Sequence, residues 1–341
     1  MPKAMDHWHP VLLSTDLLKA PIGIRLNGEE IVVFRTASGG VGALGDQCPH
    51  RRMRLSCGKV RGEKLECPYH GWTFDRTGAG ESPGTPKLHA DATCYETREA
   101  HGAIWLRAIG AQTEFPTFAV DGFHEACVIK HVAKAPLEIV LDNFTEIEHT
   151  ATTHAILGYG LERMSEVTTK VESTDDSVYV HNRGPQKRIP IYFQWLFGVR
   201  EGDAFVDEWT TRFSPVHSIY DQWWSDPTSG VERRDRLKIY VFFNPIAPME
   251  TEIMTFAFVK SRLWNPVLIR HLVAPVLRRL VDVEVGLDVD MLARLADKSP
   301  GISGMRLSRF DKVLGLNRRR IALLYRGEEE ITDESHSLAQ V

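Results

Sequence analysis

The sequence predicts an α+β protein built from two domains. Three observations support this prediction. The chain has 341 residues, enough for about two hydrophobic cores; its first third carries short apolar runs between Gly and Pro turns; and its remainder combines helix-like periodicity with long β-type runs. We therefore predict an all-β domain over residues 1–115 and, over residues 116–341, an antiparallel sheet covered by helices.

The predicted first domain consists of short strands joined by tight turns. Asn27-Gly28 is a turn typical of hairpins and separates two of the β-type runs. A segment this rich in turns does not fit a helical domain. The predicted strands are Ile22–Leu26, Glu30–Arg35, Trp72–Asp75 and Ala103–Arg107.

The predicted second domain begins and ends with helices. Leu137 to about Ala155 has apolar residues at helix-like spacing, and Val267–Ala296 does so again, with interruptions at Pro275 and Gly286. Long β-type runs between the two helices suggest one large antiparallel sheet. These runs are Ser177–His181, Ile191–Val199, Phe205–Phe213, Leu237–Asn244 and Glu252–Lys260.

Composition limits the partners and compartments to be expected. A net charge of −4 argues against nucleic acid, whose binding needs a basic face. The N-terminus lacks the apolar core of a signal peptide, and no run approaches the ~18 apolar residues of a spanning helix. Five cysteines, an odd number, indicate a metal or redox role in a reducing compartment. We expect a cytoplasmic protein that binds neither nucleic acid nor membrane.

Two short motifs each combine one cysteine with one histidine. The motifs are Cys48-Pro-His50 and Cys67-Pro-Tyr-His70, and sixteen residues separate them. Rieske-type [2Fe–2S] clusters use two Cys on one iron and two His on the other, and two facing loops would supply them. Gly71 lets the backbone turn tightly beside the second loop. A zinc site also accepts two Cys and two His, but zinc fingers usually pair like with like, so the alternation favours iron and sulfur.

A second candidate metal site lies in the segment Glu146-Ile-Glu-His149-Thr-Ala-Thr-Thr-His154. Two His and one carboxylate form the facial triad that binds Fe(II) and leaves positions open for O2. Residues five apart on an ideal helix point about 140° from each other, so the chain must bend or unwind between the two His. The intervening threonines favour this, because Thr disfavours the helix. Glu146 or Glu148 can complete the triad, but a better carboxylate lies elsewhere.

The better carboxylate is Asp288. On a helical projection of Val285–Ala296, Asp288 falls in the middle of a broad apolar arc, whereas Asp290 falls on the opposite side. A lone carboxylate on an apolar face costs several kcal/mol unless it is paired or binds a metal. We therefore predict Asp288, rather than Asp290, as the third ligand.

Together these motifs resemble those of the Rieske non-haem iron oxygenases, specifically the catalytic α subunit. The resemblance covers nearly the whole chain. It implies an N-terminal Rieske [2Fe–2S] β-domain and a C-terminal helix-grip catalytic domain with mononuclear Fe(II). The matching segments are Trp8-His-Pro, Cys48-Pro-His-Arg, Cys67-Pro-Tyr-His-Gly-Trp72 and Leu141-Asp-Asn-Phe-Thr-Glu-Ile-Glu-His149, together with His154.

The resemblance also implies roles for single residues. Glu146 takes the place of an aspartate that bridges the two metal centres across a subunit boundary, where it accepts hydrogen bonds from His70 of one subunit and His149 of the next. Asn143 matches a recurrent neighbour of the iron in monooxygenase-type members. The implied ligands are Cys48, His50, Cys67 and His70 for the cluster and His149, His154 and Asp288 for the iron.

The implied chemistry is the oxygenation of a small organic substrate by O2. A separate reductase, alone or through a ferredoxin, would supply electrons from NAD(P)H, and the bridging glutamate implies a homotrimer. We expect mono-oxygenation, as hydroxylation or demethylation; a ring cis-dihydroxylating dioxygenase is the alternative. The alternative of another class is a Rieske electron-transfer protein without oxygenase activity, against which the second metal motif argues.

Two further features each have a functional and a purely structural interpretation. Aromatic residues of the sheet region would line a substrate pocket or pack in the core. Arg318–Arg320 would dock an acidic reductase or form a solvated basic face. The aromatic residues are Tyr192, Phe193, Trp195, Phe197, Trp223 and Trp224.

Overall fold

The computed structural model describes residues 3–261 and 265–329. Within these ranges the paired strands form sheets of six, four and seven strands, all antiparallel. The six- and four-stranded sheets belong to the N-terminal part of the chain and the seven-stranded sheet to the C-terminal part. The fold class is α+β, as the sequence predicts.

The N-terminal part contains two small sheets. Its strands are β1 (His9–Leu13), β2 (Ile22–Leu26), β3 (Glu29–Arg35), β4 (Val41–Gly45), β5 (Lys59–Arg61), β6 (Lys64–Glu66), β7 (Thr73–Phe74), β8 (Gly80–Glu81), β9 (Cys94–Ala100) and β10 (Ala103–Ala108). The larger sheet has the order β1-β10-β9-β4-β3-β2, and the smaller one is β5-β6-β7-β8. The predicted hairpin joins β2 to β3, and both Asn27 and Gly28 have positive φ, 48° and 83°, as a type I′ turn requires.

The C-terminal part is one large sheet with helices packed against one face, here called the inner face. The strands are β11 (His124–Ala133), β12 (Thr168–Ser173), β13 (Ser177–Pro185), β14 (Ala204–Phe213), β15 (Val216–Ser225), β16 (Glu232–Ala247) and β17 (Glu250–Lys260), and they pair in the order β11-β17-β16-β15-β14-β13-β12. The helices are α1 (Leu137–Phe144), α2 (Ile191–Phe197), α3 (Pro266–Leu268), α4 (Ala274–Ala293) and α5 (Val313–Arg320). Irregular helical turns are Lys3–Asp6, Leu55–Cys57, His149–Ala151, Leu161–Glu166, Ile269–Val273 and Ile321–Arg326.

The large sheet buries both of its faces. Side chains alternate along a strand, so Ile239 and Val241 of β16 point into the core under the helices, while Tyr240 and Phe242 point to the other side. Helix α4 packs on the inner face through residues at spacings of three and four. Those α4 residues are Leu277, Leu280, Val281, Glu284, Val285, Asp288 and Leu292.

The outer face of the large sheet shares an aromatic core with the N-terminal part. Trp105 of β10 stacks on Phe256 of β17 with ring centroids 5.6 Å apart, and meets Phe242 edge to face at 5.0 Å. Trp8 belongs to the same buried cluster. Aromatic side chains bury more apolar area than most others, so this contact fixes the N-terminal part on the back of the large sheet.

Two of the secondary-structure predictions are wrong. Ile191–Val199 is not a strand: Ile191–Phe197 forms α2, which begins after Pro190 and ends at Gly198 in the left-handed conformation (φ 62°). Its buried residues Phe193, Leu196 and Phe197 have helical rather than alternating spacing. The interruption predicted at Gly286 is also wrong, because α4 runs through that residue. Near Pro275 the helix is irregular, as predicted: a π-helical turn, Ile269–Val273, directly precedes the regular helix.

The N-terminal helix of the second domain is shorter than predicted. Helix α1 ends at Phe144, and the chain continues to residue 155 through turns. The predicted domain boundary at residues 115 and 116 falls between the end of β10 at Ala108 and the start of β11 at His124, and it stays a prediction. Among the described residues no helix is both long and apolar enough to cross a membrane.

Candidate metal centres and active site

The two Cys–His motifs lie on two loops with the same backbone pattern. In each loop the cysteine N–H donates to the carbonyl five residues on: Cys48 to Met53 at 2.8 Å and Cys67 to Trp72 at 2.7 Å. The cysteine carbonyl in turn accepts from the N–H four residues on. That fourth residue has positive φ in both loops, 57° at Arg52 in the first and 69° at Gly71 in the second. The tight turn expected at Gly71 is therefore present, and the two loops present their side chains alike.

The four motif side chains form two layers. Cys48 and Cys67 are buried free thiols, 1 % and 2 % exposed, and burial raises the pKa of Cys48 to about 11. The rings of His50 and His70 lie at the surface with centroids 4.5 Å apart, and Trp72 stacks on His50 at 4.9 Å. Two buried sulfurs below two outward-lying imidazoles fit the ligand set of a Rieske cluster, with sulfur ligands on the inner iron and imidazoles on the outer one.

The second site brings together two histidines of one segment and an aspartate that is distant in sequence. His149 and His154 lie on the irregular segment after α1, and Asp288 projects from α4. Asp288 Oδ1 lies 3.3 Å from His149 Nε2 and 3.0 Å from His154 Nε2. One ligand atom from each residue falls within 4.8 Å of the other two. The chain does unwind between the two histidines, as their five-residue spacing requires, so that both rings point to one place.

A carboxylate lies behind each histidine, hydrogen-bonded to His149 and within ion-pair distance of His154. His149 Nδ1 lies 2.5 Å from Glu146 Oε1, and His154 Nδ1 lies 3.3 Å from Glu284 Oε2. A carboxylate on Nδ1 fixes the ring and the tautomer that leave Nε2 free for a metal. Glu146 lies three residues before its histidine, whereas Glu284 lies one turn before Asp288 on α4. The donor set and its outer carboxylates therefore fit a divalent iron.

The electrostatics of the site depend on these contacts. Burial alone would lower the pKa of His149, but Asp288 and Glu146 outweigh burial and raise it to about 10. Burial likewise acts to raise the pKa of Asp288, yet the two histidines bring it far below its usual value. Glu284 is 5 % exposed, and burial raises its pKa. A site with this much negative charge attracts a cation.

The segment that carries His154 is anchored by a half-buried lysine. Lys187 Nζ donates to the carbonyls of Thr150 and His154, at 2.6 and 2.7 Å. Glu284 Oε1 also accepts from the N–H of Ile156, at 3.1 Å. These contacts replace the regular hydrogen bonds that a helix would have provided and hold the irregular segment in place.

A cavity opens beside the three converging ligands. Asn143 and Glu146 from the end of α1 line it, together with Asp207 from β14. Asp207 is 6 % exposed, and burial raises its pKa to about 6. Apolar side chains form most of the remaining wall, including Phe144, Leu157, Ile239, Val241, Val281 and Val285.

Comparison with known proteins agrees with this geometry. The Rieske [2Fe-2S] domain family matches residues 7–96. The methylxanthine N1-demethylase NdmA of Pseudomonas putida is 33% identical over 165 residues, which are 43% of this chain and 46% of NdmA. The oxygenase subunit of phthalate 4,5-dioxygenase from Pseudomonas putida is 32% identical over 164 residues, 44% of this chain and 37% of that subunit. The matches thus span less than half the length of these curated relatives.

Solved structures extend the likeness to the whole chain. A dicamba monooxygenase structure with 3,6-dichlorosalicylic acid aligns with a TM-score of 0.75 at 16% identity, over 95% of this chain and 98% of that one. A caffeine complex of an NdmA mutant from Pseudomonas putida aligns with a TM-score of 0.71 at 19% identity, over 95% and 91%. The chain has the fold of a Rieske oxygenase α subunit. The predicted resemblance is thus confirmed for the Rieske domain, and the predicted two-part fold is confirmed over nearly the whole chain.

Within this Rieske oxygenase fold, the predicted ligands group as expected. Cys48, His50, Cys67 and His70 meet in the Rieske domain, and Asp288 rather than Asp290 faces the two C-terminal histidines, because Asp290 is exposed. Asn143 and Glu146 border the same cavity. That these residues bind the cofactors stays a prediction.

Sequence reasoning missed three residues of this site. Glu284, Asp207 and Lys187 lie far from the histidines in sequence, and only the fold brings them to the site. A signal for Glu284 existed: it lies four residues before Asp288 on α4, hence on the same buried face.

None of the six aromatic residues considered for a substrate pocket lines the cavity beside His149, His154 and Asp288. Tyr192 and Trp195 are exposed on α2, and Phe193, Phe197 and Trp224 pack in the core. Trp223 lies under the Arg236 guanidinium. The aromatic residues that do line the cavity are Phe144, Trp209 and Tyr220.

The basic run Arg318–Arg320 is not a free docking face. Arg318 forms a two-pronged ion pair with Asp142 of α1, at 2.7 and 2.6 Å, with both side chains 15% exposed. Arg320 donates to the carbonyl of Thr174. At least these two arginines tie α5 to its neighbours.

Proposed function

We propose that this protein is the oxygenase component of a Rieske system that uses O2 and NAD(P)H-derived electrons to oxygenate a small organic substrate. The observation that carries the proposal is the convergence of His149, His154 and Asp288 on the wall of a cavity, in a chain that also contains a Rieske domain. An electron carrier would need only the first of these two sites.

The residues around the iron would each have a defined task. Fe(II) held by two imidazoles and one carboxylate keeps positions open for O2 and supplies the oxygen chemistry. His149 and His154 present Nε2 to the metal because Glu146 and Glu284 occupy their Nδ1 side. The apolar side chains of the cavity exclude bulk water and orient the substrate.

Glu146 is also the proposed link between the two centres. Its carboxylate already accepts hydrogen bonds from His149 Nδ1 and from the backbone N–H of Glu148, both at 2.5 Å, and its side chain is 16% exposed. We propose that the partner subunit's His70 donates to it in a homotrimer. The contact with His149 supports one half of this bridge.

The partners and the reaction type follow from the same proposal. Relatives are named as oxygenase subunits and as the oxidoreductase NdmD, which supports a separate reductase as the electron donor, alone or through a ferredoxin. Relatives named as an N1-demethylase and a tert-butanol monooxygenase support mono-oxygenation, although a relative is also named as a dioxygenase. We place the protein in the cytoplasm, where such electron donors are available.

The experiment that tests the proposal is an iron count combined with EPR and turnover. Purified protein should contain about three irons per chain, two in a cluster with a Rieske EPR signal and one mononuclear. With a reductase, NADH and O2 should be consumed in step with product. About two irons per chain with no oxygen incorporation would contradict the proposal and identify an electron carrier. A colourless zinc protein would contradict both the oxygenase proposal and the electron-carrier alternative.

A further inference from the structure

The floor of the cavity is a set of paired strand positions on the inner face of the large sheet. Asp207 of β14 pairs with Gln222 of β15, and two residues along the strands Trp209 pairs with Tyr220. Residues two apart on a strand are about 7 Å apart and point to the same side. The floor therefore has a polar row beside an aromatic row.

Several polar atoms of this wall are buried without a hydrogen-bond partner. They are Trp209 Nε1, Gln222 Oε1, Thr255 Oγ1, Asn143 Nδ2 and Glu284 Oε2. Trp209, Gln222 and Thr255 are 2 %, 7 % and 0 % exposed. An unsatisfied buried donor or acceptor costs about 1–3 kcal/mol, and native proteins keep few of them. Their grouping around one cavity indicates that a polar ligand satisfies some of them.

The cavity carries an excess of negative charge. Its lining contains four carboxylates, those of Glu146, Asp207, Glu284 and Asp288, and no lysine or arginine among the residues that the structure describes. One divalent iron does not neutralise four carboxylates. At the low effective dielectric constant of such a site, an organic anion is repelled far more strongly than in water.

Asp207 is the one of these carboxylates that is not already occupied by a histidine. Its Oδ1 accepts a hydrogen bond from Gln222 Nε2 at 3.0 Å, which holds it in place. A carboxylate accepts about four hydrogen bonds, and in the described part of the chain Gln222 is the one side-chain donor to the carboxylate of Asp207. Acceptor capacity is thus left over at a fixed point of the cavity wall.

We propose that the substrate is a neutral or cationic organic molecule whose N–H or O–H group donates to Asp207, and that Asp207 selects against substrates that carry a carboxylate. This inference rests on the proposed function, since it assigns the substrate class of the same cavity. The apolar body of the substrate lies against Trp209 and Tyr220, and its polar end faces Asp207 and Gln222. Asp207 is a specificity-determining residue and has no part in holding the iron.

The test measures binding rather than turnover. Anaerobic holoenzyme without reductase is titrated calorimetrically with para-methoxybenzylamine, para-methoxybenzamide and para-methoxybenzoate, which share one skeleton and differ in charge and donors. We expect the amine and the amide to bind at least about tenfold more tightly than the benzoate, because a buried carboxylate favours donors over anions. Equal or tighter binding of the benzoate, or no binding of any of the three, would overturn the proposal.

Two variants assign the preference to Asp207. Asp207→Asn keeps the shape and a hydrogen bond with Gln222 but removes the charge, so the preference of the amine over the benzoate should fall by about tenfold or more. The matched control is Glu208→Gln, which removes the same charge one residue away on the opposite face, where Glu208 contacts Tyr179 and His181. The proposal would be overturned if Asp207→Asn kept the preference for the amine over the benzoate, or if Glu208→Gln lost as much of that preference.

Failure of this inference and failure of the proposed function give different results. The binding preference is measured without O2 or electrons, whereas the proposed function is tested by iron content, EPR and turnover. A protein that turns over substrates but prefers the benzoate would refute the role of Asp207 alone. A protein with the preference but with no oxygen incorporation would keep the assignment of the cavity and refute the oxygenase.

Discussion

The two candidate metal centres of this protein are built in opposite ways. The cluster loops are local: each contributes a Cys and a His two or three residues apart, and the two loops repeat one backbone pattern. The mononuclear site is assembled from an irregular segment and a helix more than a hundred residues further along the chain. A local motif can be recognised in the sequence directly, whereas an assembled site requires the fold.

The two sites also differ in electrostatic environment, which lowers the pKa of a histidine in one and raises it in the other. His70 lies at the edge of the protein, where partial burial, His50 and Arg51 lower its pKa. His149 is enclosed by carboxylates that raise its pKa to about 10 against the effect of burial. The first environment disfavours positive charge on His70, and the second favours positive charge on His149. This suits an electron-accepting cluster at the surface and a divalent cation held beside a cavity.

The largest expected loss of iron and turnover comes from a change at the mononuclear site. Asp288→Ala should lower the iron content by about one per chain and reduce turnover by more than about a hundredfold, because changes in outer-shell residues alone typically cost 10–100-fold. The Rieske EPR signal should stay. The control is Asp290→Ala, which removes an exposed carboxylate of the same helix and should change neither quantity. Iron loss in the control instead would reassign the third ligand.

A complementary variant tests the local site. Cys67→Ser should abolish the cluster, its colour and its EPR signal, and with them reductase-dependent turnover, while the mononuclear iron remains. Cys57 is exposed on the neighbouring turn, so Cys57→Ser provides the matched control and should keep both centres. Loss of both centres together in Cys67→Ser would show that the two sites are not independent in folding.

A smaller effect separates orientation from electron transfer. Glu146 is hydrogen-bonded to His149, whereas Glu284 lies within ion-pair distance of His154. Glu146→Gln and Glu284→Gln should therefore each weaken iron binding, by up to about 10–100-fold. With iron restored in excess, Glu146→Gln should still have lost most of its turnover, measured as product formed per cluster oxidised. Equal turnover in the two restored variants would remove the bridging role and leave Glu146 with orientation alone.

The smallest effect is a pH dependence of iron binding. In the iron-free protein the pKa of His149 is about 10, and a metal needs the neutral ring. Iron binding near pH 7 should therefore release a proton, and the affinity should rise by up to about tenfold per pH unit between about pH 7 and 9. Calorimetry in buffers of different ionisation enthalpy counts this proton. Glu146→Gln should flatten the dependence, and a wild-type affinity that is constant with pH would contradict the assignment.

The same raised pKa has a defined sign for stability. Folding raises the pKa of His149, so protonated His149 stabilises the folded iron-free protein. This contribution to the free energy of unfolding is complete below pH 6.5 and is lost as the pH rises through about 10. The iron-free protein should therefore melt at a lower temperature at pH 9.5 than at pH 6.5, and bound iron should remove most of that difference.

The contrast between the two sites also explains what the sequence could predict. Cys48, His50, Cys67 and His70 are recognisable because their spacing is itself the signal. Asp288 could be predicted because an acid on an apolar helical face must have a partner, and it is indeed buried, at 4 % exposure. Glu284 satisfies the same rule, but its contact with His154 depends on how the irregular segment folds back.

Other parts could not be predicted for physical reasons. Ile191–Phe197 is a short apolar run, and such runs fit a strand or a helix equally well until neighbours decide which face is buried. Asp207 and Trp209 reach the cavity because β14 pairs with β15 in one particular register. Strand register depends on the whole sheet rather than on any one segment.

The aromatic contact between Trp105 and the back of the large sheet has a consequence for how the chain can be divided. A fragment ending near residue 115 would leave Trp8 and Trp105 uncovered, and the remainder would expose Phe242 and Phe256. Exposed patches of this kind cause aggregation. The N-terminal part is therefore not expected to be stable as a separate redox domain. Exchanging it between relatives would require the aromatic residues on both sides of this contact to match.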